Sequence, residues 1–152
     1  MPDQGLPITP LQAALNAVFA ATPAIWDVLA GDKVFDGLVP PMVDANTVRP
    51  MPYFAWANPT DVPHSDSSSS FGELGSAATL RLHIFDNHRF SKARVMALAD
   101  AVKRKVSGKV IDLGAGYRML TSTVDLIDCS PVPTGFQGIL AIAATVRTVN
   151  NP

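Results

Sequence analysis

Ala77-Ala78-Thr79-Leu80-Arg81-Leu82-His83-Ile84-Phe85 is the stretch that decides the fold. Leu80, Leu82 and Ile84 alternate with Arg81, His83 and Phe85, the period of two that a β-strand shows when one face lies on a core. The segment predicts a strand with a buried face and a face that meets solvent or a partner. On its N-terminal side, Met51–Ala57 carries Tyr53, Phe54 and Trp56 and predicts a neighbouring strand, with Pro52 near its start where a missing amide is tolerable. Between the two, residues 58–76 lack apolar periodicity and include Ser65-Asp66-Ser67-Ser68-Ser69-Ser70. A segment of this kind recovers little ordering entropy by burial, so a flexible loop is expected there.

Outward from this pair the pattern changes to helices. Thr9-Pro10 has the form of a helix cap followed by proline at the first helical position, and Leu11, Ala14, Leu15, Val18 and Phe19 repeat at helical spacing over about 10–21. Thr22-Pro23 repeats the device before a short helix with Ile25, Trp26, Val28 and Leu29, ended by Gly31. Residues 33–37 predict a short strand, after which Pro40, Pro41 and Pro50 keep the chain irregular. Ser91 opens the clearest helix, about 92–107, with Phe90 placed to staple onto Val95 and an apolar stripe of Val95, Leu98, Ala99, Val102 and Val106. Gly108 ends it. Strands are then expected over 109–113, 117–128 and 136–149, the first two joined by a turn at Gly114-Ala115-Gly116. The order helix, helix, three strands, helix, three strands predicts an α/β (α+β) domain spanning 1–152, with helices packed on a mostly antiparallel mixed sheet.

Composition narrows what such a domain does. Of 152 residues, 47% are apolar and 16% charged, which leaves a lightly charged surface, part of it available for partner subunits. Twelve basic and 13 acidic side chains give a net charge of −1, without the electrostatic footprint of a nucleic-acid reader. Double-stranded DNA is expected only in passage, since strong attraction would hinder movement along a channel. Cys129 is the sole cysteine, so neither an internal disulfide nor a multi-cysteine metal site is possible. No apolar run approaches the roughly 20 residues needed to cross a bilayer, and Met1-Pro2-Asp3-Gln4-Gly5 lacks the basic start of a signal peptide. A soluble product made in the cytoplasm, without a membrane partner, is the expectation.

Candidate chemistry is thin. Ser65–Ser70 beside His64 and Asp66 lacks the Gly-x-Ser-x-Gly elbow and the rigid frame a triad requires, and reads as a linker. His64, His83 and His88 lack the spacing and companions of a zinc site. Gly114-Ala115-Gly116 has neither a third glycine nor a Gly-Lys-Ser/Thr ending. Asp36, Asp86, Asp112 and Asp125 are dispersed. Lys92, Arg94, Lys103, Arg104 and Lys105 form a solvated helix face, suited to the C-terminal dipole at its end. No catalytic residue, cofactor or metal is expected, and the chain reads as a non-enzyme. Arg81 and His83 on the outer face of their strand, with Arg118 and Arg147 on later strands, are the candidate interface residues.

Leu15-Asn16-Ala17-Val18, Val28-Leu29-Ala30-Gly31-Asp32-Lys33-Val34-Phe35-Asp36-Gly37, Arg49-Pro50-Met51-Pro52-Tyr53-Phe54, Leu80–Phe85 and Ala97-Leu98-Ala99-Asp100-Ala101-Val102 follow one another in an order that resembles the tail completion (tail terminator) family of long-tailed phages, prophages and gene transfer agents. The likeness runs over roughly residues 10–149; the proline-rich stretch 40–50 and the Ser-rich loop exceed the family core. The resemblance implies a subunit of a homohexameric ring at the head–tail junction of a virion. Such a ring caps the tail tube protein, ends its polymerisation and meets the head-side connector or stopper. A head-side stopper or adaptor is the neighbouring alternative, and a small-molecule-binding α/β domain the alternative from another class.

Overall fold

A computed structural model of the chain describes residues 8–29, 34–36, 52–64, 75–86, 90–114, 116–133 and 135–148. Its elements are α1 (Ile8–Ala20), α2 (Pro23–Leu29), β1 (Val34–Asp36), β2 (Tyr53–His64), β3 (Gly75–Asp86), α3 (Ala93–Val106), β4 (Ile111–Gly114), β5 (Tyr117–Val132) and β6 (Gly135–Thr148). The strands form one sheet in the order β1-β2-β3-β6-β5-β4. β1 runs parallel to β2 and all other neighbours are antiparallel, giving the expected α+β arrangement of helices on a mostly antiparallel sheet.

The helices lie on one face because their apolar residues do. Leu11, Leu15 and Phe19 fall four apart on α1, and α3 buries Val95, Leu98, Ala99, Val102 and Val106. Against them the sheet presents Phe54 and Trp56 of β2, Leu80, Leu82 and Ile84 of β3, and Leu140, Ile142 and Val146 of β6. Full burial of each large side chain contributes on the order of 1.5–3 kcal/mol. Phe19 stacks on Trp56 at 5.8 Å between ring centroids and meets Phe54 edge-on at 5.4 Å. The indole Nε1 of Trp56 donates to Asn16 Oδ1 at 2.8 Å, which satisfies the one polar atom of a ring otherwise in the core.

The end of α3 is tied to β5. Ser122 Oγ donates to the Val106 carbonyl at 2.6 Å, and the Gly108 amide donates to the Ser122 carbonyl at 3.0 Å. Gly108 has φ 73°, the left-handed conformation that stops a helix.

Several local expectations are corrected. α1 begins at Ile8, so Thr9 is not its cap, and Pro10 sits in the first turn where its missing N–H costs nothing. Phe90 is 94% exposed and does not staple onto Val95, whose Cγ1 is turned to β6. The main correction concerns 58–76: β2 continues to His64 and β3 begins at Gly75, paired in register from Thr60↔Thr79 to His64↔Gly75. β1 covers β2 only at Phe54–Trp56, so among the described residues β2 is an edge strand beyond Ala57. Pro59 falls in a register shift between Ala57 and Thr60, and Pro63 on that edge, two settings in which a strand tolerates proline. Residues 65–74, with the serine run, lie outside the described residues, as do Gly31, the stretch 40–50 and His88. β5 also outruns its expected end, reaching Val132.

Candidate assembly interface

Strand register fixes which residues share the face turned away from the helices. Leu82 is buried on the core side, so its neighbours Arg81 and His83 face the other way. Arg81 pairs with Ala57 on one side and Ala141 on the other, and Ala141 pairs with Asp125. Arg147, three alternations along β6 from Ala141, faces the same way and stands directly opposite Arg118. All four candidate residues therefore lie on the face turned away from the described helices. Arg81 and Arg118 are exposed; His83 and Arg147 are half-buried.

Between the arginines the face is built of small side chains: Thr79, Ala141, Ala143, Thr145, Thr121 and Thr123, all exposed or half-buried. At the opposite end it becomes aromatic. Tyr53 stacks on Phe85 at 4.9 Å, and Phe85 lies 6.1 Å from the His83 ring. His83 Nδ1 and Gln137 Nε2 are 2.8 Å apart, while His83 Nε2 is buried without a hydrogen-bond partner among the described residues. Burial holds the imidazole below its usual basicity, and the positive charge of Arg81 adds to the effect. Arg118 and Arg147 occupy facing positions on β5 and β6, and with Arg81 they make this face basic.

The remaining candidates do not converge. The buried carboxylate of Asp86 accepts from Arg94 Nε at 2.9 Å, and that bond raises the basicity of Arg94, whose side chain stays partly exposed on the cationic helix face. Arg104 pairs with Asp100 at 2.9 Å. Asp112 Oδ1 accepts the Gly114 amide at 3.0 Å and shapes the β4–β5 turn, where Gly114 and Gly116 take φ of 68° and 82°. Burial pushes the Cys129 thiol up. Among the described residues no three His, Cys, Asp or Glu side chains gather as metal ligands, and no single helix is long and apolar enough to cross a membrane.

Two features escaped the sequence reading: the Asp86–Arg94 pair, and the exposure of three apolar side chains, Met96 on α3 and Leu126 and Ile127 on β5. Asp86 ending a strand seven residues before the helix that carries Arg94 is the only sequence signal for the first.

The same arrangement of elements occurs in a solved structure. A chain of the "virion of native gene transfer agent (GTA) particle" superposes with a TM-score of 0.64 at 20% identity, over 94% of this chain and 99% of that one. The likeness is one of fold, along nearly the whole of both chains. No protein-family model matches the chain, and no curated protein matches it in sequence.

Proposed function

We propose that this chain is a structural subunit of a phage-like virion, and that it closes the end of a tail tube as a homohexameric ring. One ring face meets the tail tube protein and the other the head-side connector. The observation that carries the reading is the sheet face turned away from the described helices, where Arg81 and Arg118 are exposed and His83 and Arg147 half-buried, on a fold shared with a chain of a gene transfer agent virion. A sheet face on which the described helices do not pack, with exposed arginines and small side chains, offers a surface for contact between subunits. A ring that matches the tube on one side and differs on the other makes a contact that cannot repeat, so growth stops by geometry and not by chemistry. DNA passes through the lumen of a ring whose subunits carry almost no net charge.

Electron microscopy of particles made without this protein tests the proposal. Tails of uncontrolled length that fail to join heads are expected. Tails of normal length joined to heads overturn it, and normal free tails beside filled heads with unsealed portals point to the head-side stopper instead.

A further inference from the structure

β5 outruns its neighbour. β4 pairs with it only at Tyr117–Met119, so among the described residues no strand lies along the outer edge of β5 from Leu120 to Val132. On that edge Asp125, Leu126, Ile127 and Asp128 are all exposed, four in a row where a strand with one face on a core should alternate. A register shift between Leu126 and Asp128 interrupts the alternation. Leu126 and Ile127 are 42% and 50% exposed, and Met96 faces Leu126 across a groove of about 150 Å³ floored by Val124 and Leu140. On the groove's helical rim stand Lys103 and Asp100, the latter occupied by Arg104.

We propose that this edge takes up an extended segment of another protein as an added strand, one carrying two apolar side chains flanked by Lys or Arg. An unpaired edge with apolar side chains is a template for strand addition, and a folded protein leaves one open at the risk of aggregation. The charges select the partner. Asp125 and Asp128 bracket the apolar pair, and neither forms an ion pair among the described residues; Asp128 accepts only Ser130 Oγ, at 2.9 Å. The cations around the edge leave both carboxylates without an ion pair: Lys103 stands on the helical rim of the groove, Arg81 is two strands away across Ala141, and the charge of Lys92 reaches Cys129. The same carboxylates disfavour a second copy at this edge. A two-fold antiparallel pairing that matches Leu126 with Ile127 sets Asp125 opposite Asp128 twice, and like charges at facing positions destabilise a strand pair.

The inference does not depend on where in a virion the chain sits, and the protein alone tests it. Two synthetic peptides serve as probes, Lys-Val-Thr-Ile-Lys and Glu-Val-Thr-Ile-Glu, with amide exchange read along the intact chain. At a peptide concentration about ten times its dissociation constant, the basic peptide should slow exchange at the outward amides of residues 120–130 about tenfold. The acidic peptide should leave them unchanged. Ile127→Lys should abolish the protection without changing the melting temperature, since the side chain is half exposed. The pair Asp125→Asn with Asp128→Asn should remove the preference between peptides and let the edge pair with itself, seen as a dimer in sedimentation. No protection by the basic peptide, equal protection by both, or self-association of the unaltered protein through residues 120–130 overturns the proposal.

Discussion

A Cβ added at Gly138 would stand 2.6 Å from Val95 Cγ1, closer than side-chain atoms approach one another. Gly138 sits in the middle of the β3–β6–β5 ladder, opposite Ile84 and Cys129, and its missing side chain is what lets α3 lie down on the sheet. The neighbour cannot swing aside cheaply, because a valine in a helix is held in one rotamer. Gly138→Ala should therefore lower stability by about 1–3 kcal/mol, the usual cost of overpacking a core. Adding Val95→Ala should restore part of that loss, and thermal melts of the single and double variants read the coupling directly.

Arg94→Ala should destabilise more than its own exposure suggests. The Arg94 side chain is 43% exposed, but its partner Asp86 has no exposed side-chain surface, so removing the arginine strands a carboxylate in the interior. Breaking such a pair from one side costs on the order of 3–5 kcal/mol, and solvent access to the arginine puts the expectation near the lower end of that range. Asp86→Asn in the Arg94→Ala background should recover stability in urea denaturation, since no buried charge is then left unpaired. Equal stability of the single and double variants would show that the carboxylate finds another partner.

His83 links the open face to pH. Its folded pKa lies below the ordinary 6.5, through burial and then Arg81, so the unfolded chain binds the proton more readily. The contribution of the neutral ring to stability is thus complete above the unfolded pKa and is lost as pH falls toward the folded one. Between about pH 7 and 5 the unaltered protein should lose more stability than His83→Gln, with the two curves parallel above that window. An NMR titration should place the His83 midpoint below 6.5 and move it upward in Arg81→Gln.

How much of this was legible in the sequence follows from how local each signal is. The alternation of Leu80, Leu82 and Ile84 depends on nearest neighbours, so the strand, its core face and the outward direction of Arg81 and His83 could be read directly. The extension of β2 past Ala57 could not: Pro59 and Pro63 look like strand breakers until the sheet order makes that side of β2 an edge. Trp56 bonding Asn16, 40 residues away, and Arg118 facing Arg147 are products of topology, with no trace in spacing. The exposed Leu126 and Ile127 were hidden for the opposite reason. Within a strand they read as ordinary core-forming residues, and only the short reach of β4 and the limit of α3 leave them uncovered.

Charge reversal on the face turned away from the described helices should separate folding from assembly. Arg81 is exposed and forms no ion pair among the described residues, so Arg81→Glu should change stability by no more than about 0.5 kcal/mol. Arg118 is likewise exposed, so Arg118→Glu should also change stability by no more than about 0.5 kcal/mol. Both variants should therefore melt close to the temperature of the unaltered chain. If the open face is the assembly surface, the same two changes should prevent incorporation into particles, because they invert the charge offered to an acidic counterpart. Leu82→Asp supplies the contrast: the position is fully buried one residue from Arg81, and an unpaired carboxylate there costs several kcal/mol out of a total stability of roughly 5–15. That variant should fail to fold. Incorporation of Arg81→Glu and Arg118→Glu chains at the normal level, measured in purified particles, would remove this face from the assembly and leave the β5 edge as the surface to examine.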